Sequence, residues 1–369
     1  MSCTCHSKCV ILPSESVKKF GVMTYITIIL SAYNHETTIG ACLESIIAQE
    51  NADLKMECVI VDDCSSDDTL AVIRRKVGSY KGNIEFRIFR HQSHHGLSRT
   101  RNTGLERALG YYVIFVNGAD QLREGCVDTY MVNLMRHWDA DVIVGNTFLA
   151  AMNRNLFRQL SGTKALRGRG AVIAHEMIKH HLYLYANNKL VRRELLIANQ
   201  ISFDEHMDYG DMQWAFALFA TVSSVVLLPD ITYEYGQVDL GGIGQAERKV
   251  NTLLNSYLAT CEHLLDTAPR PEGDDGGYYL SHQLFIDALL THFDRLTVEY
   301  NVNSQMKRGL SAVRSRLQSQ TKNDGQKMLY LFFKQEGSLL SGLFKNPVFK
   351  RYRQTIDEMV SILAVLVGR

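Results

Sequence analysis

Val59-Ile60-Val61-Asp62-Asp63-Cys64-Ser65-Ser66-Asp67-Asp68-Thr69 is the stretch whose reading decides the fold. A β-branched apolar run, Glu57 to Val61, reads as a strand, and it stops abruptly in a polar, Asp-rich loop. The same loop supplies the side chains that start the next helix, which runs to about Val77. Strand, polar loop and helix then recur on both sides. Upstream, Tyr25 to Leu30 is a compact β-branched strand, and Thr38 to Gln49 a helix with Ile39, Leu43, Ile46 and Ile47 on one face. Downstream, Ile84 to Phe89 is a strand, Leu97 to Leu109 a helix, and Tyr112 to Val116 a fourth strand. Strands alternating with helices imply a largely parallel sheet covered on both faces. Such sheets bind ligands beyond the carboxyl ends of their strands, where these polar loops fall.

Beyond this region the pattern changes. From about Asp141 to Tyr235 it is mixed, with strands at Val142-Ile143-Val144 and Val225 to Leu228 and a helix from Asp211 to Ala220. From about Glu247 strand signals vanish and helical patterns dominate, broken at the Gly-Asp-rich Glu272 to Gly277. The expected organisation is a leader over 1–22, an α/β domain over 23–245 (halves at about 23–121 and 122–245) and a helical region over 246–369. The segment Phe344 to Val367 joins Lys345, Lys350, Arg351 and Arg353 to an apolar helix. It fits either the surface of an anionic membrane or packing on the fold or on a second copy of the chain.

The 369 residues carry a formal charge of +1, with 40 Lys+Arg against 39 Asp+Glu, so nothing in the balance points to non-specific nucleic-acid binding. Cys42, Cys58, Cys64 and Cys126 lie in or beside apolar or helical segments, the usage of a reduced compartment. Cys3, Cys5, His6 and Cys9 lack a partner pair at zinc-finger spacing. No signal-peptide h-region and no run of about 18 apolar residues is visible. The expectation is a cytoplasmic protein, soluble or lying at the inner face of a membrane.

Four ordered segments carry a resemblance: Ile28-Ile29-Leu30-Ser31-Ala32-Tyr33-Asn34, Val59 to Thr69, Gly96-Leu97-Ser98-Arg99-Thr100-Arg101-Asn102-Thr103-Gly104-Leu105, and Phe115-Val116-Asn117-Gly118-Ala119-Asp120. Over about Tyr25 to Gln121 the chain resembles family-2 glycosyltransferases of the GT-A fold, of the bacterial surface-polysaccharide type. The implied fold is α/β, Rossmann-like, with a mostly parallel central sheet flanked by helices and a helical C-terminal region. The implied partners are a nucleotide-sugar donor, UDP-linked, and a glycan or lipid-linked glycan acceptor, in capsule, lipopolysaccharide or related assembly.

The chemistry of the residues agrees. Tyr33 has a ring to stack on a base, and Asp63 can accept from a uracil-type imide N–H. Asp62 suits a structural or a ribose contact. Arg101 offers a planar fork to a diphosphate, which a lysine matches less well. Gly96 gives its loop a conformation closed to other residues, and Asn102 holds that loop. Arg99 either assists Arg101 or faces solvent. Ser31, Asn34 and Asn117 join the donor side by resemblance. His94 and His95, before Gly96, receive no assignment.

At the fourth strand end the family has an Asp-rich DxD-type motif for Mn²⁺ or Mg²⁺. Here Ala119 holds the usual ligand position and leaves Asp120 as the remaining carboxylate. Three readings stay open: a loosely held ion on Asp120 and the diphosphate, a leaving group neutralised by Arg101 and other cations without metal, or lost catalysis in a sugar-nucleotide-binding or scaffold homologue.

A fifth segment runs from Asn188 to Leu196, through Ile201 to Glu205, to Tyr209-Gly210-Asp211-Met212-Gln213-Trp214. By resemblance Asp211 is the catalytic base of an inverting transfer. It would take the proton of the attacking hydroxyl while the diphosphate leaves from the opposite face. A helix N-cap is the plain alternative for Asp211. Trp214, one turn on, suits an acceptor-side sugar-stacking wall or core packing. His175, His180 and His181 lack a carboxylate partner for a metal. A dinucleotide-binding dehydrogenase is a poor reading, because Ser31-Ala32-Tyr33-Asn34 stands where Gly-x-Gly-x-x-Gly should follow the first strand.

Overall fold

A computed structural model describes residues 25–150, 153–155, 160–168, 185–206, 210–236 and 304–320, with short helical pieces between 254 and 266. The leader, the cysteines at 3, 5 and 9, His175, His180, His181, the break at 272–277 and the segment 344–367 lie outside the described residues.

The first half alternates as the hydrophobic pattern requires: β1 (Ile26–Ala32), α1 (Ile39–Ile47), β2 (Met56–Asp62), α2 (Thr69–Ser79), β3 (Glu85–Arg90), α3 (Leu97–Arg107) and β4 (Tyr112–Asn117). Every residue of β1 and β2 is buried, the mark of strands covered on both faces. α1 buries Ile39, Cys42, Leu43 and Ile46, one stripe at helical spacing. After β5 (Gln121–Leu122) come α4 (Cys126–Arg136), β6 (Val142–Leu149), β7 (Arg154–Asn155), β8 (Lys164–Arg167), β9 (Lys189–Arg192), α5 (Arg193–Ala198), α6 (Asp211–Thr221) and β10 (Ser224–Tyr235). α7 (Ser304–Gln320) lies in the region expected to be helical.

One sheet joins all ten strands in the order β3-β2-β1-β4-β9-β6-β10-β5, with β7 on β6 and β8 on β10. The long strands β3, β2, β1 and β4 pair in parallel, and so do β6 and β10. The short β9 runs antiparallel between β4 and β6 and so leaves those two co-directional. The sheet is therefore parallel in its long strands and antiparallel in its short ones. The carboxyl ends of β1, β2, β4, β6 and β10 share one edge.

α3 is shorter than its periodicity predicts, because the chain extends at Ala108 and then passes tightly over β1. A Cβ on Gly110 would lie 2.6 Å from the Thr27 backbone nitrogen. α3 itself presses on β1, where a Cβ on Gly104 would meet Ile29 Cγ2 at 2.2 Å. That closeness buries Ser98, Thr100, Arg101, Asn102, Thr103 and Gly104 on a helix with few apolar residues. Buried polar side chains must find partners, and where they find them defines the site.

At the opposite, amino end of the sheet a buried carboxylate is fully occupied. Glu57 accepts from Thr27 Oγ1 (2.6 Å), the Leu109 N–H (2.6 Å) and Arg87 Nη1 (2.8 Å). The cysteines Cys42, Cys58 and Cys126 are free and buried, with thiols pushed up by burial. They act as small apolar side chains.

Candidate active site

Two loops frame the carboxyl edge. After β1, Asn34 adopts φ 53° and its side chain ties this loop to the one after β2. Its Oδ1 accepts from the Ser66 N–H at 2.9 Å, and its own N–H donates to Ser65 Oγ at 3.1 Å. Asp62 is wholly buried and holds Ser65 Oγ at 2.5 Å and Arg90 Nε at 3.2 Å. The Asn34 Oδ1 and the Asp62 carboxylate are thus engaged within these loops. Short polar side chains at tight turns are readily taken up by neighbouring backbone and hydroxyl groups, which is the structural role open to Asp62.

Asp63 organises the loop before α3. It accepts from the His95 N–H (3.0 Å) and the Gly96 N–H (2.7 Å), and lies 2.6 Å from His91 Nδ1 and 2.8 Å from His94 Nδ1. Gly96, at φ 89°, supplies the turn that brings its N–H to Asp63. His94 is the residue that sequence reasoning left unassigned. Its ring stacks on Tyr33 with centroids 3.9 Å apart and planes at 25°, while its Nδ1 meets Asp63. A planar ring on Tyr33 with a nitrogen on Asp63 is the set of contacts expected of a base. The signal available in the sequence was its position two residues before Gly96, but only the folded loop turns the ring inward.

Arg101 is the centre of the arrangement. It is 2% exposed, and its guanidinium lies over the Phe203 ring at 5.0 Å, a cation–π contact. Nη2 donates to Asn117 Oδ1 at 3.1 Å, and Nη1 donates to Asp211 Oδ1. Nε has no partner. On the neighbouring strand, Ser31 pairs in register with Asn117, and its buried Oγ also lacks a partner. Two polar atoms are thus unspent beside the same strand end.

Asp211 opens α6, with Gly210 at the N-cap position and no side-chain cap hydrogen bond. Its carboxylate is therefore not consumed as a cap, and a negative charge in the first helical turn is favourable. Beneath it Lys189 is fully buried, with Nζ on Tyr185 O (2.5 Å) and Asn188 Oδ1 (2.9 Å). Burial pulls this lysine down to about 7, and the charge of Asp211 opposes the shift. Lys189 was not singled out in the sequence.

Asn102 and Trp214 are both engaged within the fold. Asn102 spends its amide on the segment that leads to α6: Nδ2 donates to Phe203 O (2.8 Å) and Glu205 Oε1 (3.0 Å), and Oδ1 accepts from the Phe203 N–H (2.9 Å). It positions Arg101's neighbourhood and has no polar atom for a donor. Trp214 is 1% exposed, stacked on Phe203 (4.9 Å, 6°) and edge-on to Phe115 (5.6 Å). It is core, because the helix face one turn from Asp211 points into the sheet. Arg99 faces outward in ion pairs with Glu106 and Glu205.

The strand end offers little to a metal. Asp120 is buried and accepts from Tyr233 Oη (2.7 Å), the Gly236 N–H (3.0 Å) and Asn117 Nδ2 (3.0 Å). Burial pushes its carboxyl up to about 6 despite those three hydrogen bonds. Among the described residues no cluster of three or more His, Cys, Asp or Glu is gathered to hold an ion. Among the described residues, this strand end does not fit a resident divalent cation. No helix among the described residues is long and apolar enough to cross a membrane.

Comparison with solved structures places this architecture. The chain superposes on Staphylococcus aureus TarS 1–349 in complex with UDP-GlcNAc with a TM-score of 0.61 at 17% identity, over 92% of both chains. It superposes on the mannosyltransferase PcManGT from Pyrobaculum calidifontis, in complex with GDP-Man and Mn²⁺, with a TM-score of 0.53 at 13% identity, over 95% of this chain and 92% of that one. The fold is GT-A. In sequence, residues 27–198 match the family described as "Glycosyl transferase family 2". It is 24% identical over 226 residues to the poly(ribitol-phosphate) beta-N-acetylglucosaminyltransferase TarS of Staphylococcus aureus, covering 58% of this chain and 35% of TarS. The chain thus spans about a third of that relative's length.

Proposed function

We propose that the chain is an inverting glycosyltransferase that moves a hexose or N-acetylhexosamine from a UDP-sugar to a hydroxyl of a glycan acceptor in bacterial surface-polysaccharide assembly. One observation carries the reading: Arg101 hydrogen-bonds both Asn117, at the end of a donor-half strand, and Asp211, the first residue of α6. In this reading the diphosphate-binding cation and the proton acceptor are neighbours, and a single displacement needs both beside the same sugar.

In this reading the base displaces the exposed His94 ring from Tyr33 and takes over its contact with Asp63. The diphosphate lies against Arg101 Nε and Ser31 Oγ, the two unspent polar atoms. Asp211 accepts the proton of the acceptor hydroxyl as its oxygen attacks the anomeric carbon. The bond from that carbon to the diphosphate oxygen breaks on the opposite face, and the departing UDP carries its negative charge onto Arg101. The anomeric configuration inverts. The relatives and fold neighbours support the substrate class, since one acts on poly(ribitol-phosphate) and its structure holds UDP-GlcNAc. Work at the cytoplasmic face of a membrane on a lipid-linked glycan is part of the same proposal.

The test is incubation of the full chain with a panel of UDP-sugars, with and without a membrane extract as acceptor source, read by mass spectrometry. Transfer or slow hydrolysis of one donor, lost in Asp211→Asn, supports the reading. UDP binding without turnover of any donor would instead favour a non-catalytic sugar-nucleotide-binding homologue.

A further inference from the structure

We propose that this chain grips its sugar diphosphate with Arg101 as the cation, Ser31 beside it, and uses no divalent cation. The inference rests on the donor-binding reading above and concerns how that site is charged.

A hard divalent ion needs about six oxygen ligands, and those not supplied by phosphate or water must come from the protein. The strand end that would supply them has been refitted position by position. At 117 stands an amide, and its orientation is fixed from both sides. Arg101 needs an acceptor and receives Oδ1, while Asp120 needs a donor and receives Nδ2. The oxygen of Asn117 therefore already serves a cation. Position 118 is glycine and position 119 alanine, neither with a side-chain ligand atom. The end of β10 closes over this turn so tightly that a Cβ on Gly236 would lie 1.8 Å from the Ala119 carbonyl oxygen. At 120 the carboxylate is 3% exposed and already takes three donors, from Tyr233, Gly236 and Asn117.

Arg101 shows the opposite condition. Its guanidinium is buried, and its planar fork is held by Asn117, Asp211 and the Phe203 face, yet Nε has no acceptor. A buried charged donor left without an acceptor is costly and marks a position that a ligand fills. Ser31 Oγ, across the strand pair from Asn117, is unpartnered in the same way. Phosphoryl oxygens are the acceptors that satisfy both. A guanidinium keeps its charge at any working pH and presents fixed parallel donors, so it can stabilise a leaving diphosphate without an ion.

The experiment is calorimetric titration of the full chain with UDP, and with GDP as a second arm, in EDTA and again in excess Mn²⁺. The expected result is UDP binding with dissociation constants that agree to about twofold in the two buffers, a difference of a few tenths of a kcal/mol. Binding that appears only with Mn²⁺, or tightens about tenfold or more on adding it, overturns the inference and leaves the donor reading standing. No binding of either nucleotide in either buffer overturns both. Arg101→Gln in EDTA is expected to weaken UDP about tenfold or more, the worth of a charged hydrogen bond, with Arg101→Lys between it and wild type. Unchanged affinity in Arg101→Gln would remove Arg101 from the role.

Discussion

Two buried arginine–carboxylate pairs sit at opposite ends of one sheet, and they are built differently. At the amino end, Glu57 is completely enclosed and its oxygens take a hydroxyl, a backbone N–H and Arg87, whose guanidinium also donates to Arg107 O (2.9 Å). At the carboxyl end, Asp211 has Arg101 for its one hydrogen-bonding partner among the described residues, its side chain is 18% exposed, and Arg101 Nε is unmatched. The first pair is complete within the protein. The second is left incomplete among the described residues. Breaking a buried pair costs stability in either case, but only an incomplete pair has bonding capacity to give to a substrate.

The largest effect that would sharpen this contrast is in catalysis. Asp211→Asn is expected to lower sugar transfer by about 10²–10⁴-fold, the range for a positioned general base, with UDP binding by calorimetry retained. Equal loss of binding and turnover would make Asp211 a structural partner like Glu57. The converse change, Glu57→Gln, is expected to cost roughly 2–4 kcal/mol in urea unfolding by leaving Arg87 and its network unbalanced, with the UDP dissociation constant of the folded protein unchanged. A shift in that constant would break the separation of the two ends.

Asp120 gives a pH test. Its folded carboxyl is raised to about 6 from an ordinary 3.8, so between those values the folded state holds a proton that the unfolded state has released. Stability attributable to this group therefore falls as pH rises from about 4 to 6 and stays low above. The ionised form is disfavoured by up to about 3 kcal/mol. Asp120→Asn removes that term, so the variant should gain on wild type between pH 4 and pH 8 in denaturant titrations; parallel curves would contradict a buried, disfavoured charge. The smallest effect belongs to His94, an exposed and replaceable partner of Asp63. His94→Ala is expected to tighten UDP about three- to tenfold by clearing the Tyr33 face, and weaker binding would place His94 on the ligand's side.

Much of the fold was legible because its causes are local. The β-branched runs at 26–30 and 57–61, the α1 stripe of Ile39, Leu43 and Ile46, and the polar loops that end each strand are read from spacing alone. The site was legible in part. Tyr33, Asp63, Arg101 and Asp211 stood out as the residue types the chemistry needs, and all line the carboxyl edge or the helix that faces it. Asn34, Asp62 and Asn102 have the same residue types but are consumed by Ser66, Ser65 and Phe203. Trp214 suited a sugar platform or the core equally, and it lies against Phe115 and Phe203.

By itself the sequence determined the alternation of strands and helices, and with it the edge where a ligand must bind, since hydrophobic period and turn chemistry act over a few neighbouring residues. Tertiary structure alone decided which polar atoms are spent and which are free. Arg101 meets Asp211 across 110 positions of chain. Whether a donor or acceptor has capacity left depends on neighbours brought together by packing, and no local pattern of residues encodes that.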